Sequence, residues 1–289
     1  MLGECHAHMI MDGENYKAAV ALHKDQVCEE AVRLHLMENK EAGIHFVRDG
    51  GDAQAVSKLA QKLAPEYGIE YRTPIFAIHK RGHYGGIVGH PFDTWKDYEK
   101  LVQRAKAEGA DFIKIMVSGL LDFAHAGTLT EEGLKKEEIR CMIQIAHEAG
   151  MAVMAHCNGD RTCFWTLEAG VDSLEHGFFM EEETLHLLAE RKIPWFPTFA
   201  PVGNLLGCGR FPDEEVQKNL DMQTRRVQKA ASLGASIGLG SDAGAYLVPH
   251  GKGTYDEYQY LKRAGVKDDT LQKAETYVRQ TFQRSDRLS

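Results

Sequence analysis

A chain of 289 residues with 43% hydrophobic content and a formal charge of -8 can bury a large core, as two ordinary domains or one α/β barrel. No block of like charge offers the basic surface that nucleic acid or an anionic membrane requires, and no apolar run approaches the ~20 residues of a membrane span. The N-terminus lacks the basic-then-apolar order of a secretory signal, so a soluble cytoplasmic protein with a small-molecule partner is expected.

Cys5, Cys28, Cys141, Cys157, Cys163 and Cys208 are scattered without a C-x-x-C pair in a chain too large to need staples, and read as reduced thiols. In chain order, the first strand (2–8) contains His6 and His8, whose one-residue spacing in an extended segment puts both imidazoles on the same face. Residues 29–37 carry apolar positions at helical spacing and stop before Gly43; the second strand is 44–49, closed by Gly50 and Gly51. A helix over 53–63 leads to a third strand at 74–78, then a loop at 80–86 whose glycines allow close approach to a ligand.

A helix over 94–107 precedes the strand that carries Lys114. Ile139, Met142, Ile143 and Ala146 make the stripe of the next helix, stopped by Gly150. The fifth strand runs into His156, a short helix covers 164–169, and the sixth strand, 171–174, delivers His176. After a helix over 181–191, the strand at 193–199 contains Pro194 and Pro197 and must be bulged or short. A long helix (212–233) stops at Gly234, the last strand (236–239) ends in Asp242, and helices over 256–264 and 268–283 cover the outside. Eight strands alternating with helices predict a (β/α)8 TIM-type barrel, one domain over 1–289, with an open doubly wound sheet as the alternative.

In such a barrel catalytic groups project from the C-terminal strand ends, where His6, His8, Lys114, His156, His176 and Asp242 all fall. Any one alone has a plainer role: a hydrogen-bonded core histidine, an Asp helix cap, a snorkelling lysine. Six together do not.

The order H-x-H, strand-borne Lys, His, E-H-G and late G-S-D-A-G resembles the metal-dependent amidohydrolase superfamily. Residues 43–51, the stretch 169–177 and His250-Gly251 are similar to its prolidase-like and imidazolonepropionase-like branch, and the resemblance runs from Gly3 to about Ala264. The chain starts two residues before Gly3, so the branch's small β-sandwich is expected to be absent, leaving barrel surface for a second copy to cover as a homo-oligomer. His156 is followed by Cys157-Asn158-Gly159 instead of the deaminase H-x-x-E, which counts against a deaminase.

Imidazole and carboxylate are good zinc ligands, whereas an ammonium has no lone pair to offer. The resemblance therefore implies that Lys114 is carbamylated by carbon dioxide and bridges two divalent ions, most simply zinc. His6, His8 and Asp242 would hold one and His156 and His176 the other. Such a centre acidifies a bridging water, and Asp242 acts as catalytic acid/base, taking the proton and returning it to the leaving amine.

The loops of the same face carry candidate substrate contacts: His83, which the resemblance favours, with Arg81, Tyr84, Arg210, Tyr246 and His250. Donors without clustered acids suit a carboxylate near the scissile bond. The expected activity is hydrolysis of the C-N amide bond of a dipeptide or N-acyl amino acid. A lactonase or phosphoesterase using the same site is the alternative, and a metal-binding protein without turnover a third.

Overall fold

The structure, a computed structural model, describes residues 2–284. It opens with β1 (Leu2–Ala7), α1 (Tyr16–Leu22), α2 (Glu29–Glu41) and β2 (Ile44–Asp49). Next come α3 (Val56–Leu63), a 3-10 turn (Ala64–Tyr67), β3 (Glu70–Arg72), β4 (Ala77–Lys80) and β5 (Gly89–Phe92). Helices and strands then alternate through α4 (Trp95–Glu108), β6 (Ile113–Met116), α5 (Lys136–Glu148), β7 (Val153–Cys157) and α6 (Asp160–Glu168). β8 (Ser173–His176), α7 (Glu182–Arg191) and β9 (Trp195–Phe196) follow, and α8 (Ala200–Gly203), α9 (Asp213–Ser232), α10 (Lys252–Arg263) and α11 (Asp268–Thr281) complete the chain.

Local chemistry sets these boundaries. Thr94 and Asp97 form a reciprocal capping box at the start of α4, and Gly109, at φ 95°, ends it. The predicted stripe of α5, Ile139, Met142, Ile143 and Ala146, is buried and packs into the main core with Val153, Ala155 and Leu174 of the neighbouring strands. Burying each of the larger side chains contributes roughly 1.5–3 kcal/mol before the entropy of ordering it is counted.

Strands β1-β2-β3 form one sheet and β5-β4-β6-β7-β8-β9 a second, and every strand pairing within each is parallel. Parallel pairing sends the C-terminal ends of neighbouring strands to one side, so register decides which side chains meet. Met116 lies opposite His156, and Cys157 opposite His176. The hydrogen bonds from Asp111 N to Thr73 O (2.8 Å) and from Asp52 N to Ile75 O (3.0 Å) tie the connection between β3 and β4 to its surroundings.

Three expected strands differ. The strand expected at 74–78 is replaced by β3 and β4, because Pro74 has no N–H to donate and Ile75 turns the chain at φ 66°. The strand at 193–199 shrinks to Trp195–Phe196 between its two prolines. The strand expected at 236–239 is an irregular segment with one isolated bridge, Trp195 to Ile237.

That last segment nevertheless joins the two sheets. Gly238 donates to Trp195 O (2.9 Å) on one side, while Cys5 donates to Leu239 O (3.0 Å) and Asp242 to His6 O (2.7 Å) on the other. The approach requires glycine: a Cβ on Gly238 would lie 2.0 Å from the Phe196 ring, and one on Gly240 2.9 Å from His6 Cβ.

Candidate active site

β1 alternates, so Glu4, His6 and His8 share a face. Glu4 is buried at its base: Oε1 accepts from His6 N (2.8 Å) and Ser241 N (2.9 Å), and Oε2 from Ser241 Oγ and Thr254 Oγ1 (2.6 Å each). This carboxyl therefore fastens the strand of His6 to the residue before Asp242. Asp242 Oδ1 lies 3.6 Å from His6 Nε2 and 3.4 Å from His8 Nε2. One ligand atom from each of the three falls within 4.8 Å of the others.

His176 and His156 stand beside them. Ring centroids are 4.9 Å apart for His6 and His176 and 4.5 Å for His156 and His176. Lys114, central in β6, is buried with no hydrogen-bond partner for Nζ among the described residues, and His6 Nε2 is likewise buried and unpartnered there. Burial lowers the Lys114 ammonium from its ordinary value and raises the Asp242 carboxyl. The same desolvation, reinforced by the Lys114 charge, brings His8 and His156 down to about 3 and His6 well below its usual range. His176 is lowered by burial and then by its neighbouring imidazoles, so all four rings are held neutral.

Hydrogen bonds specify which nitrogen of three rings carries the proton. His6 Nδ1 lies 2.7 Å from Glu175 Oε2, an acceptor, which leaves the lone pair on Nε2, facing Asp242. His156 Nε2 lies 3.1 Å from the Gly119 carbonyl, nearer than the Asn158 amide nitrogen at 3.4 Å, which donates to that same carbonyl, so the His156 lone pair is assigned to Nδ1. His176 Nδ1 lies 2.8 Å from Thr198 Oγ1, whose own proton goes to Pro197 O, leaving the lone pair on Nε2. His176, Thr198 and Asp242 have φ of 66°, 54° and 60°, strained for residues with a Cβ and concentrated where side chains must be aimed.

Lone pairs on neutral imidazoles, a carboxylate and unpartnered buried nitrogens fit a divalent cation held by His6, His8 and Asp242. An ammonium does not ligate, so Lys114 fits such a centre only once modified.

The expected substrate contacts separate. The Tyr84 ring packs 5.1 Å from that of His156, on a loop whose Tyr84 N donates to Glu131 Oε1 (2.7 Å). His83 Nδ1 is 3.9 Å from the same carboxylate. Arg210 lies 4.4 Å over the Tyr246 ring. Arg81 instead pairs with Asp93 at 2.7 Å and is 60% exposed. His250 is drawn away into a stack with His35 (4.3 Å) and a bond from Nε2 to Met11 O (2.9 Å).

Sequence reasoning missed Glu4, Arg48, Ser173, Glu175 and Thr198. Glu4 shares the alternation of His6 and His8, and Ser173 that of Glu175, both usable signals; Arg48 reaches the site only through tertiary contacts.

The family model described as amidohydrolase family matches residues 4–262. The chain belongs to the amidohydrolase family. It is 25% identical over 212 residues to the ochratoxinase of Aspergillus niger, covering 70% of this chain and 41% of that protein. It is 30% identical over 135 residues to an uncharacterized protein of Mycobacterium tuberculosis, covering 44% and 36%. The chain thus spans 36–41% of the length of these two relatives.

Among solved structures it resembles a Xaa-Pro dipeptidase with methionine bound in the active site, with TM-score 0.72, 22% identity and coverage of 94% of this chain and 72% of that one. The Aspergillus niger ochratoxinase structure matches with TM-score 0.73, 20% identity and coverage of 92% and 67%. These amidohydrolase neighbours, with the parallel sheets, give the fold as TIM-barrel-like α/β. Among the described residues no helix is long and apolar enough to cross a membrane.

Proposed function

We propose that this amidohydrolase is a metal-dependent hydrolase that cleaves the C-N amide bond of a small substrate bearing a carboxylate, a dipeptide or an N-acyl amino acid. The observation that carries the reading is the convergence of His6, His8 and Asp242 ligand atoms within 4.8 Å, with His6 Nε2 unpartnered in the interior. In the same reading the two parallel sheets and the segment around 236–243 form one closed (β/α)8 barrel in a single domain; its bonds to both Trp195 and Cys5 support this.

His6, His8 and Asp242 would hold one ion and His156 and His176 a second, with zinc suited to the donor set. Bound there, divalent ions would supply a Lewis acid and a water acidic enough to ionise near neutral pH. Lys114, its amine made less basic by burial, would add to carbon dioxide with loss of one proton, giving a carbamate with two oxygens for the centre. Asp242, its side chain 18% exposed, would take a proton from water on Oδ and return it to the leaving amine nitrogen.

Substrate orientation falls to the loops. Arg210 rests on an aromatic shelf of Tyr246 and Phe211, with no carboxylate among the described residues within ion-pair distance, and is offered to the substrate carboxylate. Tyr84 packs against His156, and His83 precedes it on the same loop, 3.9 Å from Glu131.

The test is a screen of dipeptides, N-acyl amino acids, lactones and aryl phosphates with zinc-reconstituted protein. Free-acid amides are expected to turn over, and amidating the carboxylate to lower kcat/KM at least about tenfold, the loss of roughly one charge-assisted hydrogen bond. Equal turnover of acid and amide would remove the carboxylate recognition, and preference for lactones or aryl phosphates would change the reaction class.

A further inference from the structure

Behind the metal-ligand cluster lies an ion network that the proposed chemistry leaves unused. Glu175 is buried beside His176 and faces three donors. Its Oε2 meets His6 Nδ1 at 2.7 Å, while Oε1 meets Arg48 Nη2 at 2.9 Å and Ser173 Oγ at 2.6 Å. The Ser173 proton is committed to Glu175, since Ser173 Oγ itself accepts from Arg48 Nη1 (2.7 Å). Arg48 is held in turn: its Nε donates to Cys5 O (2.6 Å), and the guanidinium carbon lies 4.6 Å from both the Phe196 and Phe282 ring centroids.

Each nitrogen of Arg48 and the Ser173 hydroxyl thus has an acceptor, and the remaining carboxylate oxygen of Glu175 is the one that reaches His6. We propose that Glu175 is a positioning residue that holds His6 in the Nδ1–H tautomer, so that Nε2 keeps its lone pair for the cluster with His8 and Asp242. The proposal rests on the metal-centre reading for its consequence, but the tautomer is a property of the metal-free protein and can be read alone.

Replacing Glu175 by glutamine would reverse the tautomer. An amide has one acceptor oxygen where the carboxylate has two. Turning its NH2 toward Arg48 and Ser173 would set donors against donors, one of them a guanidinium. Its oxygen must stay with them, and its NH2 then faces His6 Nδ1. Only the opposite tautomer, with the proton on Nε2 and pointing into the cluster, accepts that bond. A nearly isosteric change thus removes a metal ligand without touching it.

The experiment is nitrogen-15 NMR of the histidine rings in metal-free protein, with His6 identified by the signals lost in His6→Asn, alongside zinc titration against a chromophoric chelator. Wild type is expected to show Nδ1–H at His6 and Glu175→Gln to show Nε2–H, with zinc affinity reduced about 10–100-fold, the usual scale for losing such a supporting hydrogen bond. Ser173→Ala, which removes a different donor from the same carboxylate, is expected to keep the wild-type tautomer. A flip there would mean general loosening and defeat the assignment.

Nε2–H at His6 in wild type would overturn the proposal even if Glu175→Gln does not fold. So would a Glu175→Gln protein with wild-type tautomer and zinc affinity. A tautomer switch in protein that binds no zinc in either form would leave this inference standing and remove the metal-centre reading instead.

Discussion

A charged amine shut away from water without a hydrogen-bond partner destabilises the fold that contains it, and Lys114 is in that position, buried with Nζ unpaired. The opposing contribution comes from Glu175 and Asp242, whose charges favour the ammonium but do not reverse the effect of burial. A residue that costs stability and makes no hydrogen bond among the described residues fits the chemistry proposed at Nζ. Lys114→Ala is therefore expected to keep or raise the thermal stability of metal-free protein, while losing metal and with it at least about a hundredfold in rate, the low end of what general acid–base catalysis at such a centre supplies. Added formate or acetate, each with two oxygens, should restore part of the metal content and the rate. Unchanged metal content and turnover in Lys114→Ala would make the lysine structural.

At the scale of elements, the regular ones were legible and the irregular ones were not. The stripe of α5 and the run of β2 announce themselves because propensity, periodicity and stop signals agree. The chain from Thr73 to Ile75 and the segment around Ile237 are shaped by a proline, a left-handed isoleucine and glycines that admit Phe196 and His6, none of which a period reveals. For the site, the H-x-H spacing and the strand-end positions located the candidate ligands. The network that orients them was hidden, since Arg48 and Glu175 are 127 residues apart in the chain.

One such support is α10, whose buried Glu257 accepts from Ala200 N (2.7 Å) and so fixes the loop that contains Thr198, the partner of His176. Burial pushes the Glu257 carboxyl up to about 8 from an ordinary 4.5. The folded protein then holds a proton that the unfolded chain releases between those values. This stabilisation is present below about 4.5 and lost as pH rises through about 8. Glu257→Gln retains the acceptor for Ala200 and cannot ionise. Denaturation of metal-free protein at both ends of that window should show the variant gaining on wild type as pH rises, by on the order of a few kcal/mol. A constant difference between the two proteins would mean that Glu257 does not titrate there.

For the whole molecule, the consequence of this architecture is that the candidate ligands exist as a set only in the fold. His6 and His8 come from β1 and its end, Lys114 from β6, His156 from β7, His176 from β8, and Asp242 from the segment that joins the two sheets. They span more than two hundred residues of chain, and unfolding disperses them. An ion bound at the candidate centre would therefore favour the native state by mass action, by about 4 kcal/mol when free metal stands a thousandfold above its dissociation constant. For a chain of this size, 1 kcal/mol moves the midpoint by roughly 2–4 °C, so zinc-loaded protein should melt on the order of 10 °C above protein stripped by a chelator. His6→Ala and Asp242→Ala should abolish most of that difference, because each removes a ligand from the same ion. Identical melting curves for loaded and stripped wild type would show that these residues, however closely gathered, do not hold a metal that the fold depends on.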